Sequence, residues 1–311
     1  MIFVTVRSPF INNLYSNISQ INNNLCFYLF VMEEFEKGTT ELIQSQPELF
    51  LKELYSDNRY SEALNIKGKE FSTHSTFYKN ELYKNIYINL YSYFDYHLDS
   101  VLSLVRKILV LENVDTEIKQ DRKLSTLEKI LKLLNITADD MDDFTILVKT
   151  YDYVRYRRNC LVHNVGESTK ALESIIKNQG KELTIYWESK LLRKKDSAIE
   201  NASKTKFNLE YNFFENEVSQ FTTNEMIALF NVVRKLSALW DNIIVSETIQ
   251  KHKKGFLLYC LNELSNSLGE KNKVTAKSKR FEHKFKGFTF HSFSYKIIGE
   301  DLQLLNEELC K

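Results

Sequence analysis

Apolar residues recur every three or four positions through the middle of the chain. Leu82, Ile86, Leu90, Phe94, Leu98, Leu102, Val105 and Leu109 fall on one face of a helical period, which predicts one long amphipathic helix beginning near Phe77. A second helix is predicted over Asp121 to Leu134, with Leu124, Leu127, Leu131 and Leu134 inward and Lys123, Lys129 and Lys132 in water. Asp139, Asp140, Asp142 and Asp143 come next and suit the positive end of a following helix. That helix carries Phe144, Leu147, Tyr151, Val154, Arg158 and Leu161 at helical spacing, and Gly166 after Asn164 offers a left-handed stop. Thr222 and Glu225 form a capping box ahead of Met226, Leu229, Val233, Leu236, Trp240 and Ile243.

Outside this region the pattern weakens. Met1 to Ser75 reads as a helical leader, with a turn at Asn22 to Asn24 and one or two helices from Met32 to Tyr55 interrupted near Pro47. Possible strands at Leu183 to Glu188 and Phe207 to Phe213, flanking the basic run Arg193, Lys194 and Lys195, predict a small β-hairpin-like insertion. After Val245 lysine and arginine outnumber acidic residues, and an alternating aromatic stretch from Phe288 to Tyr295 predicts a short mixed extension. The expected organisation is a leader over 1–75, a helical domain over 76–245 and a basic extension over 246–311, mainly α and built as an antiparallel helical bundle.

Composition supports the helical reading, because 8 glycines and 2 prolines in 311 residues are too few for the frequent turns of an all-β fold. The net charge of +1 neither implies nor excludes a nucleic-acid partner, since phosphate affinity follows local basic faces. Cys26, Cys160, Cys260 and Cys310 lie far apart without a C-x2-C pair, which argues against a zinc site or disulfide framework and fits a reducing cytoplasm. His74, His97, His252, His283 and His291 lack metal-ligand spacing, so neither metal nor cofactor is expected. The N-terminus lacks the order of a signal peptide, and the apolar run Leu25 to Met32 falls far short of the ~20 residues that span a bilayer. No membrane association is expected.

The string YDYVRYRRNCLVHNVG, residues 151–166, carries the candidate chemistry. An arginine can bind phosphate through two hydrogen bonds, and histidine as a residue type titrates near ~6.5, where it can take or give a proton. In RNA the 2′-hydroxyl beside the scissile phosphate is a built-in nucleophile, so a base and a cation suffice without a metal. On a straight helix Arg158 and His163 stand about 140° apart with about 7.5 Å of rise between them. A joint site therefore needs either a helix that ends or distorts near His163, or a second copy across a two-fold axis.

The segment RNCLVHN resembles the R-x4-6-H motif of the HEPN superfamily, and INLYSYFDYHLDSVL, residues 88–102, is similar to the aromatic and acidic first helix of those domains. The resemblance covers roughly Phe77 to Val245. It implies metal-independent RNA cleavage by paired motifs in a homodimer, in a toxin or an anti-phage defence effector with an antitoxin or defence-system partner. It gives Arg158 and His163 the catalytic roles, Asn159 a polar supporting role and Asp95 a place on the first helix. Arg155 and Arg157 offer alternative registers for the phosphate ligand, and Val165 stands where some HEPN toxins carry tyrosine. Arg155, Arg157, Lys277, Lys279 and Arg280 are expected to contact RNA, with Phe281, Phe285 or Phe288 stacking on bases. The alternative is a HEPN-like module that binds RNA or protein without cleaving.

Overall fold

The computed structural model describes residues 5–118, 123–164, 166–191, 211–213, 218–268 and 279–309. Its helices are α1 (Ile11–Ser45), α2 (Leu51–Leu54), α3 (Phe71–Leu111), α4 (Thr126–Leu133), α5 (Phe144–His163), α6 (Lys170–Leu191), α7 (Thr223–Lys251), α8 (Lys253–Leu268), α9 (Lys279–Phe293) and α10 (Gly299–Leu309). The fold is mainly α; among the described residues the only β feature is an isolated antiparallel bridge between Phe50 and Lys67. No described helix is long and apolar enough to cross a membrane.

The chain divides into two compact units that do not follow the order leader, domain, extension. The first comprises Met1–Ser16, Ser92–Val148 and Val233–Lys311; the second comprises Asn17–Tyr91 and Lys149–Val232. In the first unit, Leu104 and Ile108 of α3 pack with Val245 and Ile249 of α7, Phe256 and Cys260 of α8, and Phe281, Phe285 and Phe293 of α9. The Phe256 ring meets Phe293 and Tyr295 edge-on at 5.1 and 5.4 Å. The expected mixed extension is thus corrected to three helices that build core. Phe281, Phe285, Thr289 and Phe293 repeat every fourth residue on one buried face, whereas Phe290 points outward, and the two faces together imitate alternation in the sequence.

Two basic residues of this region serve the fold. Lys251 donates to the Leu134 and Asn135 carbonyls at 2.9 and 3.1 Å, closing the end of α4, where Asn135 takes a left-handed φ of 48°. Lys253 pairs at 2.7 Å with the fully buried Asp301, whose other oxygen accepts from the Tyr295 hydroxyl and the Ile298 amide. At the start of α4, Ser125 and Glu128 exchange hydrogen bonds in a capping box.

In the second unit α1 runs without a break where a turn was expected at Asn22 to Asn24. Ile18, Ile21 and Leu25 continue its buried stripe and the asparagines lie on the outer side, so the stripe outweighs their turn preference. The helix ends at Ser45, before Pro47, as the sequence requires.

The expected strand at Leu183 to Glu188 is instead part of α6. Leu172, Ile175, Ile176, Leu183, Trp187 and Leu191 form a helical stripe, and the β-branched and aromatic character of residues 183–187 is local propensity overridden by burial. Of the second expected strand, Tyr211 to Phe213 form none, while residues 207–210 lie outside the described residues, as do Arg193, Lys194 and Lys195.

Candidate functional site

Helix α5 remains α-helical through His163, and its stop is built as the sequence implies. The Asn164 and Gly166 amides both donate to the Cys160 carbonyl, at 3.1 and 2.9 Å, and Gly166 has a φ of 88°. A Cβ at Gly166 would meet the Ser219 Cβ at 2.7 Å, so both the backbone conformation and the close approach demand glycine. Because the helix does not distort before His163, the angular separation of Arg158 and His163 persists within one chain.

The arginines of α5 have different fates. Arg157 is buried, which corrects its expected role in RNA contact. Its Nε donates to the Val218 carbonyl at 3.1 Å, Nη2 to the Gln220 carbonyl at 3.1 Å, and Nη1 to the Tyr211 hydroxyl at 2.7 Å and Glu225 Oε1 at 2.5 Å. The guanidinium also lies 4.1 Å from the Phe221 ring centroid. Burial acts to lower its pKa, and Tyr153, Tyr211 and Glu225 outweigh that effect, so it is held charged. Asn80 of α3 clasps the same loop, donating to the Ser219 carbonyl and accepting from the Phe221 amide.

Arg155 is half-buried beside its own helix, pairing with Asp152 at 3.3 Å and donating to the Tyr156 hydroxyl at 3.1 Å. Arg158 is different. It is half-buried, with its guanidinium 5.8 Å from the Tyr91 ring centroid and Nη1 donating to Asn159 Oδ1 at 3.1 Å. No carboxylate among the described residues pairs with it, and its Nε finds no hydrogen-bond partner there. Asn159 is thereby placed against Arg158. His163 is exposed in the last turn of α5. Asp95 is half-buried on the part of α3 that belongs to the first unit.

The expected C-terminal RNA contacts are reduced. Lys279 and Arg280 are exposed at the start of α9, and Lys277 lies outside the described residues. Phe281 and Phe285 are core residues and cannot stack on bases, because burial already covers their rings. No group of histidine, cysteine and carboxylate side chains that could hold a metal occurs among the described residues.

The sequence missed the partners of Arg157. Glu225 was legible as a capping residue, since it accepts from the Thr222 amide, but its second role as a counter-ion had no local signal. Tyr91 belongs to the aromatic string of α3 and was not singled out. Comparison with protein-family models, with curated proteins and with solved structures finds no match.

Proposed function

We propose that this chain is a metal-independent endoribonuclease of the HEPN type, acting as a homodimer in toxin activity or anti-phage defence. The observation that carries the reading is Arg158. Beside an arginine locked by Glu225 and another held by Asp152, it alone keeps a guanidinium without a described carboxylate partner. Such a group suits a phosphate, whose negative charge a counter-ion would otherwise pre-empt. His163, exposed and able to meet a polymer, serves as the general base for the 2′-hydroxyl or the acid for the leaving oxygen. Arg158 binds the scissile phosphate and offsets the charge that develops on it. Since one helix keeps the two residues on different faces, the site is composed of Arg158 from one copy and His163 from the other.

That same separation favours one alternative. A chain that does not pair its motifs binds RNA or protein through Arg158 without cutting.

The test is cleavage of mixed cellular RNA by purified protein in excess chelator, with mass measured in solution. The expected result is cleavage by a dimer, reduced at least about a hundredfold in both His163→Ala and Arg158→Ala. Undiminished cleavage by His163→Ala refutes the mechanism, and RNA binding by an uncleaving monomer supports the alternative.

A further inference from the structure

Helix α9 gives one face to the core and turns a cationic face outward. Phe281, Phe285 and Phe293 are buried in the core of the first unit. On the other side, at about 100° per residue, Lys279, Phe290, His283, Arg280, His291 and Lys284 follow one another round an arc of about 140°. The arc runs for roughly 18 Å along the axis and contains no carboxylate. Glu282, the one acidic residue of α9, lies outside it and is engaged by Lys286 at 2.5 Å. Lys279, Arg280 and Lys284 have no carboxylate partner among the described residues. Phe290 is 55% exposed and meets His291 edge-on at 5.8 Å between ring centroids, so neither ring covers the other. Gly287 stands in the middle of the arc, where a Cβ would meet nothing within 4 Å.

The interleaving of charge and rings identifies the partner. Unpaired cations attract any polyanion, but aromatic rings and a guanidinium set among them also stack on unpaired bases. We infer that this face of α9 binds a single strand of RNA, with Lys279, Arg280 and Lys284 on phosphates and Phe290 against a base. A helix that enters an anionic lipid surface needs a free apolar face, and α9 has placed its own in the protein core. An acidic peptide would satisfy the cations and leave Phe290 with nothing to stack on. The choice of RNA rests on the nuclease reading, but the face contains neither Arg158 nor His163 and requires no cleavage.

The test uses the full chain and a labelled RNA strand of about twelve nucleotides, 2′-O-methylated so that it cannot be cut through its own hydroxyl. Fluorescence anisotropy should show Gly287→Glu binding about tenfold more weakly than wild type and Gly287→Lys binding more tightly, with circular dichroism unchanged. Gly38→Glu makes the same charge change in open space on α1 and should have no effect. Arg280→Ala and Lys284→Ala should each reduce the slope of log affinity against log salt by about 0.7. Phe290→Ala should weaken RNA about tenfold and leave binding of inorganic polyphosphate unchanged. These losses should persist in an Arg158→Ala background. If they vanish there, the α9 proposal falls and the nuclease reading stands; if they persist in a chain that cuts no unmodified RNA, the reverse holds. Unchanged affinity in Gly287→Glu, an equal loss in Gly38→Glu, or an equal loss of polyphosphate in Phe290→Ala overturns the proposal. Binding to phosphatidylserine vesicles that Gly287→Glu abolishes while RNA binding is unaffected also overturns it and gives the face to a membrane.

Discussion

Replacing Arg157 by alanine should be among the most damaging single changes in the second unit. It strips the donors from the Val218 and Gln220 carbonyls and the Tyr211 hydroxyl, and leaves the Glu225 carboxylate, 17% exposed, without its cation. Breaking one side of a buried ion pair costs about 3–5 kcal/mol, and partial access of water to Glu225 favours the lower end. At about 3 kcal/mol the melting temperature of a domain of 150–250 residues falls by about 6–12 °C. The two tryptophans allow this to be read locally, because Trp187 belongs to the second unit and Trp240 to the first. In a Trp240→Phe background, urea unfolding followed by emission of the buried Trp187 should show the loss. Glu225→Gln should lessen the cost of the arginine change when the two are combined. The neighbouring Arg158→Ala should cost under about 1 kcal/mol, since it loses one hydrogen bond to Asn159 and one ring contact. A Trp187 transition shifted by less than about 1 kcal/mol in Arg157→Ala would refute the clamp.

Gly166→Ala should destabilise the end of α5 by about 1–2 kcal/mol from its positive φ alone, with the Ser219 contact adding to it; thermal melts indistinguishable from wild type would contradict this. Ser125→Ala should cost about 1 kcal/mol by uncapping α4, seen as faster hydrogen exchange of its first-turn amides. Alkaline pH should destabilise the protein. Burial raises the pKa of Tyr87 and Tyr211 well above 10, and that of Tyr259 and Tyr295 to about 12. The folded chain then holds protons that the unfolded chain releases near 10, so this contribution is present below about 10 and fades as pH rises through these raised values. Phenolate absorbance should therefore lag behind that of the urea-unfolded chain, and coincident titration curves would count against the burial of these rings.

What was legible in the sequence depended on whether burial and local preference agreed. The stripe of α3, the Thr222 and Glu225 box and the stop at Gly166 each combine helical periodicity with a terminating or capping residue, and all three are present. At residues 183–187 and 288–295 the preferences of β-branched and aromatic side chains pointed one way and the wider spacing of buried residues another, and burial prevailed. Asn22 to Asn24 misled because outward-facing polar residues on a helix look locally like a turn. At the candidate site the sequence marks residue types and spacing, but Arg157 and Arg158 are chemically identical neighbours. Only the distant loop at 218–221 and Tyr211 distinguish the structural arginine from the other.

The Arg157 clamp also bears on the order in which the chain is synthesised. Helix α5 is translated by His163, yet Val218 and Glu225, which secure it, lie 61 and 68 residues beyond Arg157. At translation rates of roughly 5–20 residues per second, α5 waits about 3–14 s for those partners. Through that interval the motif helix exists without the clamp that fixes Arg157 in the folded protein.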